Sequence, residues 1–330
     1  MTYPQRPLIL ATRGSALALA QANLILAQCQ TAFPEWQFEI RTFKTTGDKL
    51  QTASLAQEGH ALPKGLFTKE LEVALLNHEA DLAVHSLKDL PTDLPNGLTL
   101  GAVAQRADVR DVLIYRDAQA SHTPGRRGFG PNLRIRALPD GAVVATSSTR
   151  RKAQLLAHNP GLKTPDIRGN VATRLQKIAD QPGLDATILA LAGMNRLGFR
   201  ITEDGRILGD AVPPGLLATV LDITEMLPCV GQGAIGIEIR SDDERLAAVC
   251  QRLNHDHTFQ AVTAERAFLA AMGGGCQSPV AAFAEVSGHR LSMRALSFAT
   301  GPMQNAEGEK SAPEAAELGR ELAAKLKPRS

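Results

Sequence analysis

Asp81-Leu82-Ala83-Val84-His85-Ser86-Leu87-Lys88-Asp89-Leu90-Pro91 opens on a short apolar run and closes in polar residues. Such a run reads as a strand buried on both faces, and it delivers Lys88 and Asp89 to the strand's carboxyl edge. Asp185-Ala186-Thr187-Ile188-Leu189-Ala190 echoes it later in the chain. A second echo links Leu10-Ala11-Thr12-Arg13-Gly14-Ser15 to Val144-Ala145-Thr146-Ser147-Ser148, where a strand ends in Thr and a Ser opens a helix. Helical patterns follow these strands: Ser15 to about Gln30, Thr68–His78 with Leu71, Leu75 and Leu76 on one face, Ser148–His158 and Val171–Ala179. Trp36–Phe43 and Leu98–Ala104 read as further strands, as does Ala142–Thr146. Strands alternating with helices predict two similar, parallel-rich α/β units. In such units anions collect where strands end and helix N-termini offer free N–H groups.

The remainder has another texture. Thr258–Met272 reads as a helix, Val280–Val286 and Arg290–Phe298 as a hairpin turning at Ser287-Gly288, and Ala312–Leu326 as an amphipathic helix. That is a small α+β domain. A chain of 330 residues exceeds one ordinary core, so two or three domains are expected from its length. Two stretches, Asp117–Gly141 and Phe199–Leu227, read as surface insertions.

A net charge of +2 argues against a general nucleic-acid or membrane binder, and 4% aromatic residues leave few platforms for base stacking. Four cysteines without CxxC spacing suggest neither a disulfide framework nor a zinc site, so a reducing, cytoplasmic setting is expected. His255-Asp256-His257 lacks partners for a metal, and no phosphate-binding glycine motif occurs. The long uncharged stretch Gly14–Pro34 is interrupted by Gln21, Asn23, Gln28 and Gln30, which argues against an export signal or membrane span.

The modest total hides an asymmetry. Arg106–Arg174 holds 11 Arg, 2 Lys and 5 Asp with no Glu, a local +8. Guanidinium forks match carboxylate oxygens two at a time, whereas lysine offers a point charge. One thiol also stands apart. Cys276 sits in Gly273-Gly274-Gly275-Cys276-Gln277-Ser278-Pro279, where glycines let a bulky group approach the sulfur. Cys29 and Cys250 lie in helical runs, and Cys229 follows Pro228 in an apolar turn.

Seven strings occur in order: Ala11-Thr12-Arg13-Gly14-Ser15, Lys64-Gly65-Leu66-Phe67-Thr68-Lys69-Glu70-Leu71-Glu72, Ala83 through Pro91, Thr146-Ser147-Ser148-Thr149-Arg150-Arg151, Arg168-Gly169-Asn170-Val171-Ala172-Thr173-Arg174, Gly231-Gln232-Gly233-Ala234 and Gly274-Gly275-Cys276-Gln277-Ser278-Pro279. In these the chain resembles the porphobilinogen deaminase (hydroxymethylbilane synthase) family over nearly its whole length.

The resemblance implies a transferase of tetrapyrrole (haem, porphyrin) biosynthesis. It joins four porphobilinogen units head to tail on a dipyrromethane primer, releases ammonia at each step and frees the linear product by hydrolysis. It implies that Cys276 holds the dipyrromethane through a thioether and that Asp89 is the catalytic carboxylate. Arg13, Ser15, Lys88, Ser147, Ser148, Arg150, Arg151, Arg168, Asn170, Arg174 and Arg196 would bind cofactor and substrate carboxylates. Lys64 and Phe67 would edge a loop over the cleft, although His60-Ala61-Leu62-Pro63 departs from the shorter glycine link usual there. The implied fold has two periplasmic-binding-protein-like α/β lobes, residues 1–105 with 233–251 and residues 106–232, plus an α+β domain at 252–330. The small-molecule substrate would be porphobilinogen, with no metal, nucleic acid or membrane, and the protein a cytoplasmic monomer. Arg126, Arg127, Arg134 and Arg136 of the first insertion read as solvated charges. The rival readings are a solute-binding module without catalysis and a cysteine hydrolase using His255, His257 or His289 as base.

Overall fold

Leu8–Arg13 and Leu82–Ser86 are buried along nearly their whole length, as strands covered by helices on both faces must be. The computed structural model, which describes residues 6–47, 65–120, 126–275 and 278–327, sets them side by side and parallel. Their sheet has five strands among the described residues, in the order Phe38–Phe43, Leu8–Arg13, Leu82–Ser86, Ile235–Arg240, Leu98–Val103. Ile235–Arg240 arrives from late in the chain and runs antiparallel to both neighbours. Its Ile235, Ile237 and Ile239 join Leu10, Val84 and Leu246 in one core. Side chains alternate across a strand, so Glu238 and Arg240 take the other face, where Arg240 reaches the carbonyl of Leu75 on the helix Lys69–Leu76.

The second sheet runs Leu216–Val220, Asp111–Arg116, Ala186–Ala190, Val144–Ala145. Val144–Ala145 is parallel to Ala186–Ala190, and Asp111–Arg116 is antiparallel to both its neighbours. This corrects the reading of Phe199–Leu227 as a surface insertion. Leu216, Leu217 and Ala218 are buried in the sheet, in a strand that glycine- and proline-rich flanks disguise. Asp117–Gly141 is also more than a loop. Leu133, Ile135 and Leu138 pack into the core around Tyr115. Arg126 donates to the carbonyls of Ala179 and Asp180 at 3.2 and 2.7 Å, so it is a helix C-terminal clasp as well as a loop charge. Arg134 pairs with Glu225, while Arg136 is exposed.

The third sheet is an antiparallel meander of Val280–Ser287, Arg290–Ser297 and Gln304–Ser311. Helices Asp256–Ala271 and Ala315–Leu326 cover it, with Phe268, Leu291, Met293, Leu318 and Leu322 inside. Among the described residues no helix is long and apolar enough to cross a membrane.

Candidate functional site

Where Leu82–Ser86 ends, a 3₁₀ turn, Leu87–Asp89, leaves Lys88 and Asp89 half-buried at the sheet's carboxyl edge. The turn is held from three sides. Leu87 N–H donates to the Ala234 carbonyl at 3.1 Å. Gly231, at φ +70°, backs onto it so closely that a Cβ there would stand 3.2 Å from the Leu87 carbonyl carbon and the Lys88 nitrogen. Arg266, from the helix Asp256–Ala271, donates to the carbonyls of Leu90 and Pro91 at 3.1 and 2.7 Å.

Asp89 lines a cavity of about 60 Å³ with Arg13, Gln21, Phe67, His85 and Ser86. The Arg13 guanidinium lies over the Phe67 ring, 4.3 Å from its centroid, which holds Phe67 at the cavity's edge. Gln21 and Ser86 exchange hydrogen bonds of 2.8 and 3.1 Å. Ser15 also lines the cavity while its hydroxyl caps the helix Ala16–Ala32, accepting from Ala18 N–H. A larger groove of about 470 Å³ lies away from Asp89, between Arg106–Arg110 and Phe283–Val286.

The second sheet contributes a different set. Ser148 and Asn170 cap the helices Thr149–His158 and Val171–Asp180, and Ser147 both donates to and accepts from the backbone of Ile167. Arg150 and Arg151 are buried, and each places one Nη on Asp111, at 2.8 and 2.7 Å. Their other Nη atoms donate to the carbonyls of Leu227 and Ile188, and both Nε atoms are buried without a partner among the described residues. Burial opposes charge on Asp111, but the two arginines outweigh it and hold its carboxyl well below the usual range. Gln232 donates to the same carboxylate at 3.0 Å. Two cations thus share one buried anion.

Arg174 and Arg196 are less provided for. Arg174 donates to the Gly169 carbonyl and Arg196 to the Gly233 carbonyl, and among the described residues neither has a carboxylate partner. Burial lowers both guanidinium pKa values to about 10, aided at Arg174 by the like charge of Arg151. Arg168 and Asn170 are exposed at the start of the helix that carries Arg174.

Half-buried Cys229 lies between the two sets. Burial pushes its thiol up, and Arg150, Arg151, Lys88 and Asp89 all act on it electrostatically. Cys229 is thus within electrostatic reach of both the Asp89 turn and the arginine pair. Lys64 and Cys276 lie outside the described residues. On either side of the latter, Ser278 Oγ accepts from Gly275 N–H at 3.1 Å, and Ser278 N–H donates back to the Gly275 carbonyl at 2.9 Å.

Sequence reasoning missed Asp111, Gln21 and Gln232. For Asp111 the signal was there: an acid heading the apolar run Val112-Leu113-Ile114-Tyr115 in an arginine-rich stretch. Gln21 sent none and Gln232 only its place in the string Gly231-Gln232-Gly233-Ala234, because an amide shows its burial only once its neighbours are assembled.

Two α/β sheets that present surplus guanidinium groups beside one carboxylate, with an α+β unit alongside, define a protein built to hold a polyanion. The chain belongs to the porphobilinogen deaminase family: the model "Porphobilinogen deaminase, dipyromethane cofactor binding domain" matches residues 8–248, and "Porphobilinogen deaminase, C-terminal domain" matches residues 259–328. The porphobilinogen deaminase of Syntrophomonas wolfei is 44% identical, covering 97% of this chain and 95% of its own. That of Paracoccus denitrificans is 41% identical over 100% of this chain and 96% of its own. Among solved structures, the periplasmic aliphatic sulphonate binding protein SsuA from Escherichia coli overlays 82% of this chain and 71% of its own at 12% identity, with a TM-score of 0.39. At that overlap the likeness adds nothing to what the sheets display.

Proposed function

We propose that this protein is a transferase that condenses porphobilinogen units head to tail on a dipyrromethane held covalently by Cys276, with loss of ammonia. The observation that carries this reading is the pair Arg174 and Arg196, half-buried cations that donate to the carbonyls of Gly169 and Gly233 and have no carboxylate among the described residues. Such cations suit an anionic ligand. The dipyrromethane fits: its acetate and propionate groups are the acceptors this donor set lacks, and the orphaned Nε atoms of Arg150 and Arg151 belong to the same cluster.

Arg13, Ser15 and Lys88 from the first sheet, with Ser147, Ser148, Arg150, Arg151, Arg168, Asn170, Arg174 and Arg196 from the second, bind and orient carboxylates in this reading. Closure of the Leu87–Asp89 turn by Gly231 and Arg266 keeps Asp89 at one place. When bound, the dipyrromethane supplies the pyrrole α-carbon onto which units are added. Asp89 stabilises the cation left when ammonia departs and assists proton movement at the pyrrole. Phe67 borders the Asp89 cavity, and Lys64 would serve beside it in this reading. Sheet membership supports a division into residues 1–105 with 233–251, residues 106–232 and residues 252–330, since Ile235–Arg240 pairs within the first sheet.

Mass spectrometry of the purified protein should find one dipyrrole on the Cys276 peptide. Asp89→Asn should keep that mass and lose most porphobilinogen consumption. An unmodified peptide from an active preparation sinks the attachment, and near-parental turnover by Asp89→Asn removes Asp89 from the mechanism.

A further inference from the structure

Behind the Asp89 cavity lies a second acid–base cluster. His85 lines the cavity yet is only 5% exposed, and its Nε2 is 2.9 Å from Oε2 of Glu238, which is fully buried. Glu238 sits at a register shift in Ile235–Arg240, and an irregularity there re-aims a side chain within an otherwise regular ladder. On the covering helix Lys69–Leu76, Glu72 is also buried, and it interacts electrostatically with both Glu238 and His85.

Hydrogen-bond satisfaction sets this cluster apart from a structural ion pair. Oε1 of Glu72 and Oε1 of Glu238 are both buried and, among the described residues, without a hydrogen-bond partner. Two carboxylates in one desolvated site cannot both be charged cheaply, and a proton on one relieves the repulsion. The same physics acts on Glu72: burial pushes its carboxyl up, Glu238 adds to the rise, and Thr68 and His85 oppose it. Arg266 is the cation acting on Glu238 from the helix Asp256–Ala271, and Glu70 adds a like charge near Glu72. Within the cavity itself the charged groups are Arg13 and Asp89.

We propose that His85, Glu238 and Glu72 form a proton-holding relay behind Asp89, with His85 its contact to the cavity. This rests on the condensation reading above. In that reaction the C–N bond of porphobilinogen breaks, a C–C bond forms and an α-C–H bond gives up its proton. Ammonia carries that proton off as ammonium, so charge and atoms balance. Between those events the proton needs a residence near Asp89. The bond to Glu238 fixes the ring through Nε2, and His85 itself lines the cavity. His85 and both glutamates are positioning residues here; they act through Asp89.

The test compares the parent, His85→Gln and Glu72→Gln, all full-length and checked for the Cys276 adduct by intact mass. Adduct mass should be unchanged in all three. His85→Gln should lower kcat by about 10–100-fold with KM for porphobilinogen held within about threefold. Glu72→Gln should displace one limb of the kcat–pH profile. Independently of turnover, infrared spectroscopy of the resting parent should show a protonated-carboxyl stretch persisting above the ordinary carboxylate range and absent from Glu72→Gln. If His85→Gln does not fold, Glu72→Gln keeps the side-chain shape and carries the test. An active parent whose Glu72→Gln variant matches it in both pH profile and carboxyl spectrum overturns the relay and leaves the condensation reading standing. A parent that ignores porphobilinogen overturns the condensation reading, and with it the relay's role in turnover.

Discussion

Glu265 accepts from both Nη atoms of Arg106, at 2.6 and 3.0 Å, and the same carboxylate accepts from the backbone N–H groups of Gly231 and Ala284. Arg106 follows the last strand of the first sheet, Gly231 precedes the strand that returns to it, and Glu265 and Ala284 belong to the helix and strand of the third unit. Arg106 Nε also donates to the Gln232 carbonyl at 2.8 Å. One buried acid therefore ties both crossovers between the α/β units to the third unit. Breaking this clasp would strand a charge in the interior.

Glu265→Gln should keep the side-chain shape and remove the charge, leaving Arg106 buried without its counterion. A loss of about 3–5 kcal/mol is expected, read by denaturant unfolding. Arg106→Leu should cost a similar amount. Either variant within about 1 kcal/mol of the parent would show that the clasp does not hold the units together.

Asp111→Asn should destabilise by about as much at neutral pH, since Arg150 and Arg151 lose the anion they share. The pH dependence has a defined sign. Asp111 has a depressed pKa in the fold, so its contribution is present above its ordinary value of 3.8 and is lost as pH falls below it. The gap between parent and variant should therefore narrow in acid, below about the ordinary Asp value. Unfolding curves taken down the acid range check this; a gap that stays constant in acid contradicts the pairing.

Arg196→Leu should behave in the opposite way. Burial already works against this charge, so removing it should leave stability within about 1 kcal/mol of the parent or raise it. Primer retention and chain extension should both suffer. The measurements are thermal unfolding beside intact mass and porphobilinogen turnover. Large destabilisation with normal turnover would make Arg196 a structural residue.

Arg126→Leu removes the clasp on the Ala179 and Asp180 carbonyls. A stability loss of about 1 kcal/mol is expected, with near-normal turnover. Hydrogen exchange should localise the loosening to the end of the helix Val171–Asp180. A large loss of activity without loosening there would bring Arg126 into the ligand site.

Periodicity was enough for the buried parallel strands and for helices opened by Ser15, Ser148 and Asn170, because both signals are local. Leu216–Val220 was hidden for the converse reason. A five-residue strand between glycines and prolines is recognised only by the partner it pairs with, Asp111–Arg116. The arginine surplus was legible as composition, but its division was not. Nothing in Arg150-Arg151 indicates that both spend a nitrogen on Asp111, or that Arg174 and Arg196 are left to carbonyls.

From its residues alone this chain declared its α/β class, its ordered motifs and its arginine surplus. Only the tertiary structure decided which charges are already neutralised, which remain hungry for an anion, and that His85 shares its interior with Glu238 and Glu72. The reason is physical: a side chain's type is written locally, whereas its charge state and its unmet hydrogen bonds depend on solvent exclusion and on neighbours from distant parts of the chain.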